Sequence, residues 1–244
     1  MNITYIVPRH NDEIFNRCLL KHFTRFSSRT IQISNDPSLK SITHKYYMGI
    51  DVSKQKNILD NDIVVFAHED VTIVDNFFED KLKYIFENND MVGVVGVVGT
   101  ELILENDWWL EDKAKPKGKI LQGLDNPTLI KFGEVGFYDN VVCVDNCIFA
   151  VRGSLFNQIN FDMSSFEYDN HTYSMDICLQ ALIQHYKICV ADILIQHEST
   201  EHFKTSLEWE NDKSNFNSKY SNIKFPISIN NIKLKSPEII EVKL

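Results

Sequence analysis

The chain has 244 residues, 43% hydrophobic and 24% charged, with a formal net charge of −9. That length holds one α/β domain or one and a half average domains, and it buries roughly 70–75% of the unfolded surface. No basic tract offsets the acidic balance, so RNA and DNA are excluded as expected partners, because phosphate backbones are met by basic stripes.

Met1 to Pro8 has no basic n-region and only a short apolar run, so no secretory signal is expected there. No apolar stretch approaches the ~20 residues of a membrane span. Cys18, Cys143, Cys147, Cys178 and Cys189 form no CxxC pair and read as reduced, buried thiols. A cytoplasmic protein is expected, with peripheral association at the inner face of a membrane and oligomerisation both open.

In chain order, Ile3 to Val7 predicts a strand stopped by Pro8, followed by the polar turn Arg9-His10-Asn11-Asp12. Ile14, Phe15, Cys18, Leu19 and Phe23 recur at helical spacing and predict a helix over 13–23. Thr30 to Ser34 predicts a strand ending in Asn35-Asp36, and a helix is expected over 41–54. Ile63-Val64-Val65-Phe66-Ala67 is an apolar run that enters His68-Glu69-Asp70; a buried, parallel strand has this pattern. A helix marked by Phe78, Leu82, Ile85 and Phe86 and a strand over 91–98 follow. This β-α-β-α-β-α-β order predicts a parallel sheet with crossover helices. Gly93, Gly96 and Gly99 lack the spacing of a phosphate-binding loop and read as sites of close backbone packing.

From Gly99 to Tyr138 the pattern dissolves into glycines, prolines and Trp108-Trp109, the composition of a binding loop or lid. Val141 to Val144 and Cys147 to Val151 are strand-like. Residues 175–186 predict a helix, and 188–195 a strand that ends in Gln196-His197-Glu198-Ser199. The tail from Glu201 to Leu244 is polar and reads as a segment packed on the domain or on a partner.

Four polar strand ends stand out: Arg9-His10-Asn11, Asn35-Asp36, His68-Glu69-Asp70 and His197-Glu198. In a parallel sheet they fall on one edge, where ligands of open α/β sheets bind. Asp176, at the start of its helix, could join them. Each alone is ordinary turn or cap chemistry; their convergence makes a site. The His, Glu and Asp suit a divalent cation with a phosphate-bearing ligand.

The chain reads Pro8-Arg9-His10-Asn11, Asp36, Ala67-His68-Glu69-Asp70-Val71, Val92-Gly93-Val94-Val95-Gly96, Trp108-Trp109, Tyr173-Ser174-Met175-Asp176-Ile177-Cys178-Leu179 and Gln196-His197-Glu198-Ser199. Over residues 1 to about 200 this order resembles GT-A fold glycosyltransferases of the family-2-like group, in the branch with Ala-His-Glu-Asp-Val in place of Asp-x-Asp. The resemblance implies an α/β fold with a mostly parallel, Rossmann-like central sheet flanked by helices, in one domain with an irregular acceptor-side insertion. Residues 1–98 would form the nucleotide-binding half, 99–200 the acceptor-binding half, and 201–244 an extension.

It also implies a metal-dependent, inverting, hexosyl-type transferase for polysaccharide biosynthesis. The donor would be a UDP- or GDP-sugar and the acceptor a glycan, a lipid-linked glycan or a protein. Mn2+ or Mg2+ would be held by Asp70 and His197, where the cation stabilises a leaving diphosphate. Pro8, Arg9, Asn11, Asp36, His68, Glu69 and Asp70 would bind the nucleotide sugar. Trp108, Trp109 and His171 would meet the sugar or acceptor, and Asp176 would be the general base. Two features depart from the wider pattern: His68 stands where a carboxylate is expected, and Ser174 where an acid is common. They keep open a catalytically silent glycan- or partner-binding module. A metal-dependent phosphoesterase is a third reading.

Overall fold

The computed structural model describes residues 1–9, 11–23, 29–33, 45–46, 49, 58–103, 115–160, 172–198 and 207–230. The helix expected over 41–54 lies almost entirely outside the described residues, as do Asp36, Trp108, Trp109 and His171.

The first half follows the expected alternation. Strand β1 (Ile3–Pro8) is followed by short helices α1 (Asp12–Arg17) and α2 (Leu20–Phe23), then β2 (Arg29–Ile33) and β3 (Ile63–Ala67). Next come β4 (Val71–Ile73), α3 (Phe78–Asn88) and β5 (Val92–Gly96). Every residue of β1, β3 and β5 is buried, which is why these strands read as unbroken apolar runs rather than alternating ones. The amphipathic α3 covers them with Phe78, Leu82, Ile85 and Phe86.

The second half is built from short strands: β6 (Val98–Thr100), β7 (Leu102–Ile103), β8 (Pro116–Gln122), β9 (Thr128–Gly133), β10 (Tyr138–Val141), β11 (Cys143–Val144) and β12 (Ile148–Arg152). Helix α4 (Gly153–Phe156), α5 (Tyr173–Ile183), β13 (Lys187–Ala191), β14 (Ile195–His197), α6 (Leu207–Lys219) and β15 (Ile227–Ser228) complete the order. The stretch expected to be irregular thus holds antiparallel strands. Their pattern is weak because β9 is exposed along its whole length and β8 is mostly half-buried. At Gly118, where the register with β9 shifts, the backbone takes φ 103° and a Cβ would lie 2.2 Å from the Val97 carbonyl oxygen; only glycine fits there.

The seven-stranded sheet has the order β10-β13-β5-β12-β3-β1-β2, and the second sheet runs β11-β6-β8-β14-β4, with β9 beside β8. The expected mostly parallel sheet is corrected here. β1 pairs parallel with β2 and β3, and β13 with β5, but β12 runs antiparallel between β3 and β5, and β10 antiparallel to β13. The sheet is mixed. Among the described residues β12 is reached through short strands rather than a crossover helix, and an antiparallel neighbour needs no such crossover. A fully buried strand has the same hydropathy in either direction.

At the centre, Phe66 stacks on Phe149 with ring centroids 5.1 Å apart. A Cβ on Gly96 would lie 2.5 Å from the Cβ of Val144, so the close packing expected of that glycine is real. Arg152 is buried and donates to three backbone carbonyls, those of Val92 (2.8 Å), Phe86 (2.6 Å) and Asn89 (2.8 Å). Its planar fork joins β12 to the end of α3 and the start of β5. A lysine has no fork and cannot reach all three. Arg152→Lys is expected to cost about 1–3 kcal/mol, read as a lower midpoint in urea with an unchanged slope.

Candidate metal centre

The junction of the two sheets places three sequence-predicted residues together. β3 belongs to the first sheet and β4 to the second, so the link His68-Glu69-Asp70 crosses between them. His68 extends the first sheet by one bond, its N–H donating to the Cys147 carbonyl at 2.9 Å. β4 then pairs antiparallel with β14, which sets His197 opposite Val71. His197 therefore stands across the ladder from the residue after Asp70.

The result is a compact donor set. His197 Nε2 lies 3.4 Å from Asp70 Oδ2, and the His68 and His197 rings are 5.8 Å apart. One ligand atom from each of His68, Asp70 and His197 falls within 4.8 Å of the others. All three side chains are half-buried. One carboxylate and two imidazoles suit a first-row divalent metal better than a purely oxygen-seeking ion.

Residues outside the sequence-based site support these three. β14 runs parallel to β8 with His197 level with Gln122, and Gln122 Nε2 lies 3.5 Å from His197 Nδ1. The Tyr173 hydroxyl lies 2.6 Å from His68 Nε2. Metal-ligating histidines characteristically have a partner on the ring nitrogen that faces away from the ion. Arg17 grips Glu198 through Nε at 3.1 Å and Nη2 at 2.5 Å, while Glu198 N–H donates to the Asp70 carbonyl. That pair ties α1 to the strand end carrying His197. Gln122 and Arg17 carried no sequence signal, because they act only through partners 75 and 181 positions away. Tyr173 was legible only as part of a motif.

The remaining predicted residues fall into two groups. Pro8 ends β1 and is buried. Asn11 caps α1, its Oδ1 accepting from the N–H groups of Glu13 and Ile14. Its own N–H donates to both carboxylate oxygens of Glu69, at 2.9 and 3.1 Å, so Glu69 clamps the turn after β1 to the turn after β3. Arg9 pairs with Asp12 at 2.7 Å and lies over the Phe15 ring.

Asp176 stands apart from the metal donors. It is 2% exposed, near the start of α5, and its carboxylate already has three partners. They are the Tyr220 hydroxyl at 2.5 Å, Lys219 Nζ at 2.7 Å and Gln180 Nε2 at 2.8 Å. Burial pushes its carboxyl above the ordinary value, against the pull of Lys219 and these bonds. Ser174, two positions earlier, is buried, and its hydroxyl has no hydrogen-bond partner among the described residues.

The electrostatics of the donor set predict a pH dependence. Burial works to raise the Asp70 carboxyl, but the bond from His197 and the charges of both histidines outweigh it and hold it at about 2. Burial works to lower His197, but Asp70 outweighs it and raises the imidazole above its ordinary value. Without metal, Asp70's contribution to stability is present above the ordinary carboxylate value and lost as pH falls through about 2. His197's contribution is present below the ordinary imidazole value and lost as pH rises through its raised one. A metal must displace the proton on His197. Mn2+ affinity should therefore rise with pH through that raised value and then level off. Calorimetry from about pH 6 to about pH 9 checks this; a flat profile would remove His197 from the ligands.

These motifs and this fold define a glycosyltransferase-like protein. The chain belongs to the glycosyltransferase-like family, whose model matches residues 4–224. Among solved structures, GalNAc-T7 with UDP, GalNAc and Mn2+ aligns over 87% of this chain and 47% of its own, with 8% identity and a TM-score of 0.54. The chain thus spans about half the length of that protein, and at this identity the likeness is one of fold, GT-A. A197 from STIV aligns over 84% of this chain and 99% of its own, with 10% identity and a TM-score of 0.47. No curated protein matches the sequence.

Proposed function

We propose that this chain is a metal-dependent glycosyltransferase that moves a sugar from a UDP- or GDP-sugar to a glycan, lipid-linked or protein acceptor, with inversion. The observation that carries the proposal is the His68, Asp70 and His197 donor set at the sheet junction, in a chain of the glycosyltransferase-like family. The residues fit a divalent cation, Mn2+ above Mg2+, because an imidazole stands beside the carboxylate. A bound cation would supply the positive charge that stabilises a departing diphosphate. That GalNAc-T7 was solved with UDP, GalNAc and Mn2+ supports the same ligand class here.

In this reading Asp70 and His197 hold the cation, and Glu69 and Asn11 shape the wall beside it. Pro8, Arg9 and Asp36 belong to the nucleotide side, and Trp108, Trp109 and His171 to the sugar or acceptor side. Asp176 is the proposed base. Its raised pKa suits proton abstraction, but its carboxylate meets an acceptor hydroxyl only after Tyr220 and Lys219 withdraw. Residues 1–98 form the donor half, 99–200 the acceptor half, and 201–244 the extension that supplies these two residues. Among the described residues no helix is long and apolar enough to cross a membrane; we propose a cytoplasmic enzyme working at the inner membrane face.

Calorimetric titration of UDP- and GDP-sugars, with and without Mn2+, tests the proposal. Metal-dependent binding is expected. No binding at millimolar nucleotide sugar with metal present would sink it. A specific observation favours a second reading, a catalytically silent binding module: Ser174 replaces an acid and Asp176 is fully engaged. Donor binding without turnover or slow donor hydrolysis would select that reading.

A further inference from the structure

Tyr173 begins α5 with its ring buried against the metal-site histidine. Its hydroxyl lies 2.6 Å from His68 Nε2 and donates to the Asn146 carbonyl oxygen at 2.8 Å. A phenol has one proton to give. We assign that proton to the Asn146 carbonyl, which can only accept, and the oxygen then meets the imidazole as an acceptor. His68 Nε2 must then carry a hydrogen, and in the neutral ring the lone pair falls on Nδ1.

The geometry points to Tyr173 as a positioning residue that fixes His68 in its Nε2–H tautomer, so that His68 joins Asp70 and His197 as a third protein ligand through Nδ1. The inference deepens the metal-site reading above and rests on it. It also gives a reason for a histidine where a carboxylate is expected. A carboxylate at position 68 would face an oxygen whose proton is already committed, whereas an imidazole donates to that oxygen and ligates with its other nitrogen. The Asn146 carbonyl lies in the turn between β11 and β12, so the relay Asn146–Tyr173–His68 fixes the ring through two elements outside the metal loop. Fixing a ligand ring and its tautomer before the metal arrives is what outer partners of metal sites do.

Two measurements test this. The ring nitrogen resonances of the metal-free protein, labelled with 15N at histidine, report the tautomer directly. Wild type should show His68 protonated on Nε2 when neutral, and Tyr173→Phe should shift the population toward the Nδ1–H form. An Nδ1–H tautomer in wild type overturns the inference whatever the metal does. Mn2+ affinity, read by calorimetry and electron paramagnetic resonance, should fall about 10–100-fold in Tyr173→Phe, and at least as far in His68→Ala. If Asp70→Ala abolishes Mn2+ binding but Tyr173→Phe binds within twofold of wild type, the metal site stands and the role of Tyr173 falls. If wild type binds no Mn2+, the metal reading itself falls, and His68 as a ligand with it. Should Tyr173→Phe fail to fold, the His68→Ala affinity decides: an unchanged value overturns the inference.

Discussion

Asp70→Ala should lower Mn2+ affinity by about 100-fold or more, beyond what loss of an outer partner costs, and abolish the metal-dependent part of nucleotide-sugar binding. The reason is local. Asp70 is the single carboxylate in the donor set, and it is held ionised down to about pH 2 by His197 and His68. Without it, two imidazoles remain in the donor set, so the site loses both a ligand and the donor set's negative charge. Asp70→Asn keeps an oxygen in place and loses only the charge, so it should fall between wild type and alanine. The check is nucleotide-sugar calorimetry with and without Mn2+ on all three proteins. Equal metal-dependent binding by wild type and Asp70→Ala would end the proposed role of this site.

Asp176→Ala is expected to destabilise the protein by about 3 kcal/mol, because the three contacts its buried carboxylate accepts are lost together. Lys219 lies 2.7 Å from the Asp176 carboxylate and Tyr220 bonds it at 2.5 Å. Both belong to the last turn of α6 and the residue after it, so this carboxylate anchors α6 to α5. For a chain of this size the loss should lower the melting temperature by roughly 10 °C. The consequence for mechanism is direct. Lost turnover in Asp176→Ala identifies a base only if the variant also melts like wild type. Tyr220→Phe supplies the comparison: it removes one of the two contacts on Oδ1 and leaves Lys219 there, costs about 1 kcal/mol, and should leave activity intact or raise it if Asp176 must be uncovered to act. An Asp176→Ala protein as stable as wild type would overturn the anchoring role.

How far the sequence carried the reading depends on where each residue's partners lie. β1, β3 and β5 were legible because burial on both faces demands unbroken apolar runs, and α3 because its apolar face repeats at helical spacing. The direction of β12 was not legible, since hydropathy carries no polarity. The strands β8 and β9 were missed because their half-buried and exposed residues give little contrast.

The site divides along the same line. The resemblance put Asp70 and His197 on a metal and His68 beside the nucleotide sugar; that one ligand atom from each falls within 4.8 Å of the others came from the structure. What surrounds them was decided by tertiary structure. Gln122 meets His197 because β14 and β8 lie level in the second sheet. Tyr173 meets His68 because α5 packs over the junction. Asp176 reads in sequence as an acid at a helix start, and only the fold shows α6 lying across it. Periodicity records which face of an element is buried, but it carries no record of which distant segment does the burying. The places of Asp70 and His197 could therefore be read from the chain, while the contact of His68 with Tyr173 and the engagement of Asp176 had to wait for their neighbours in space.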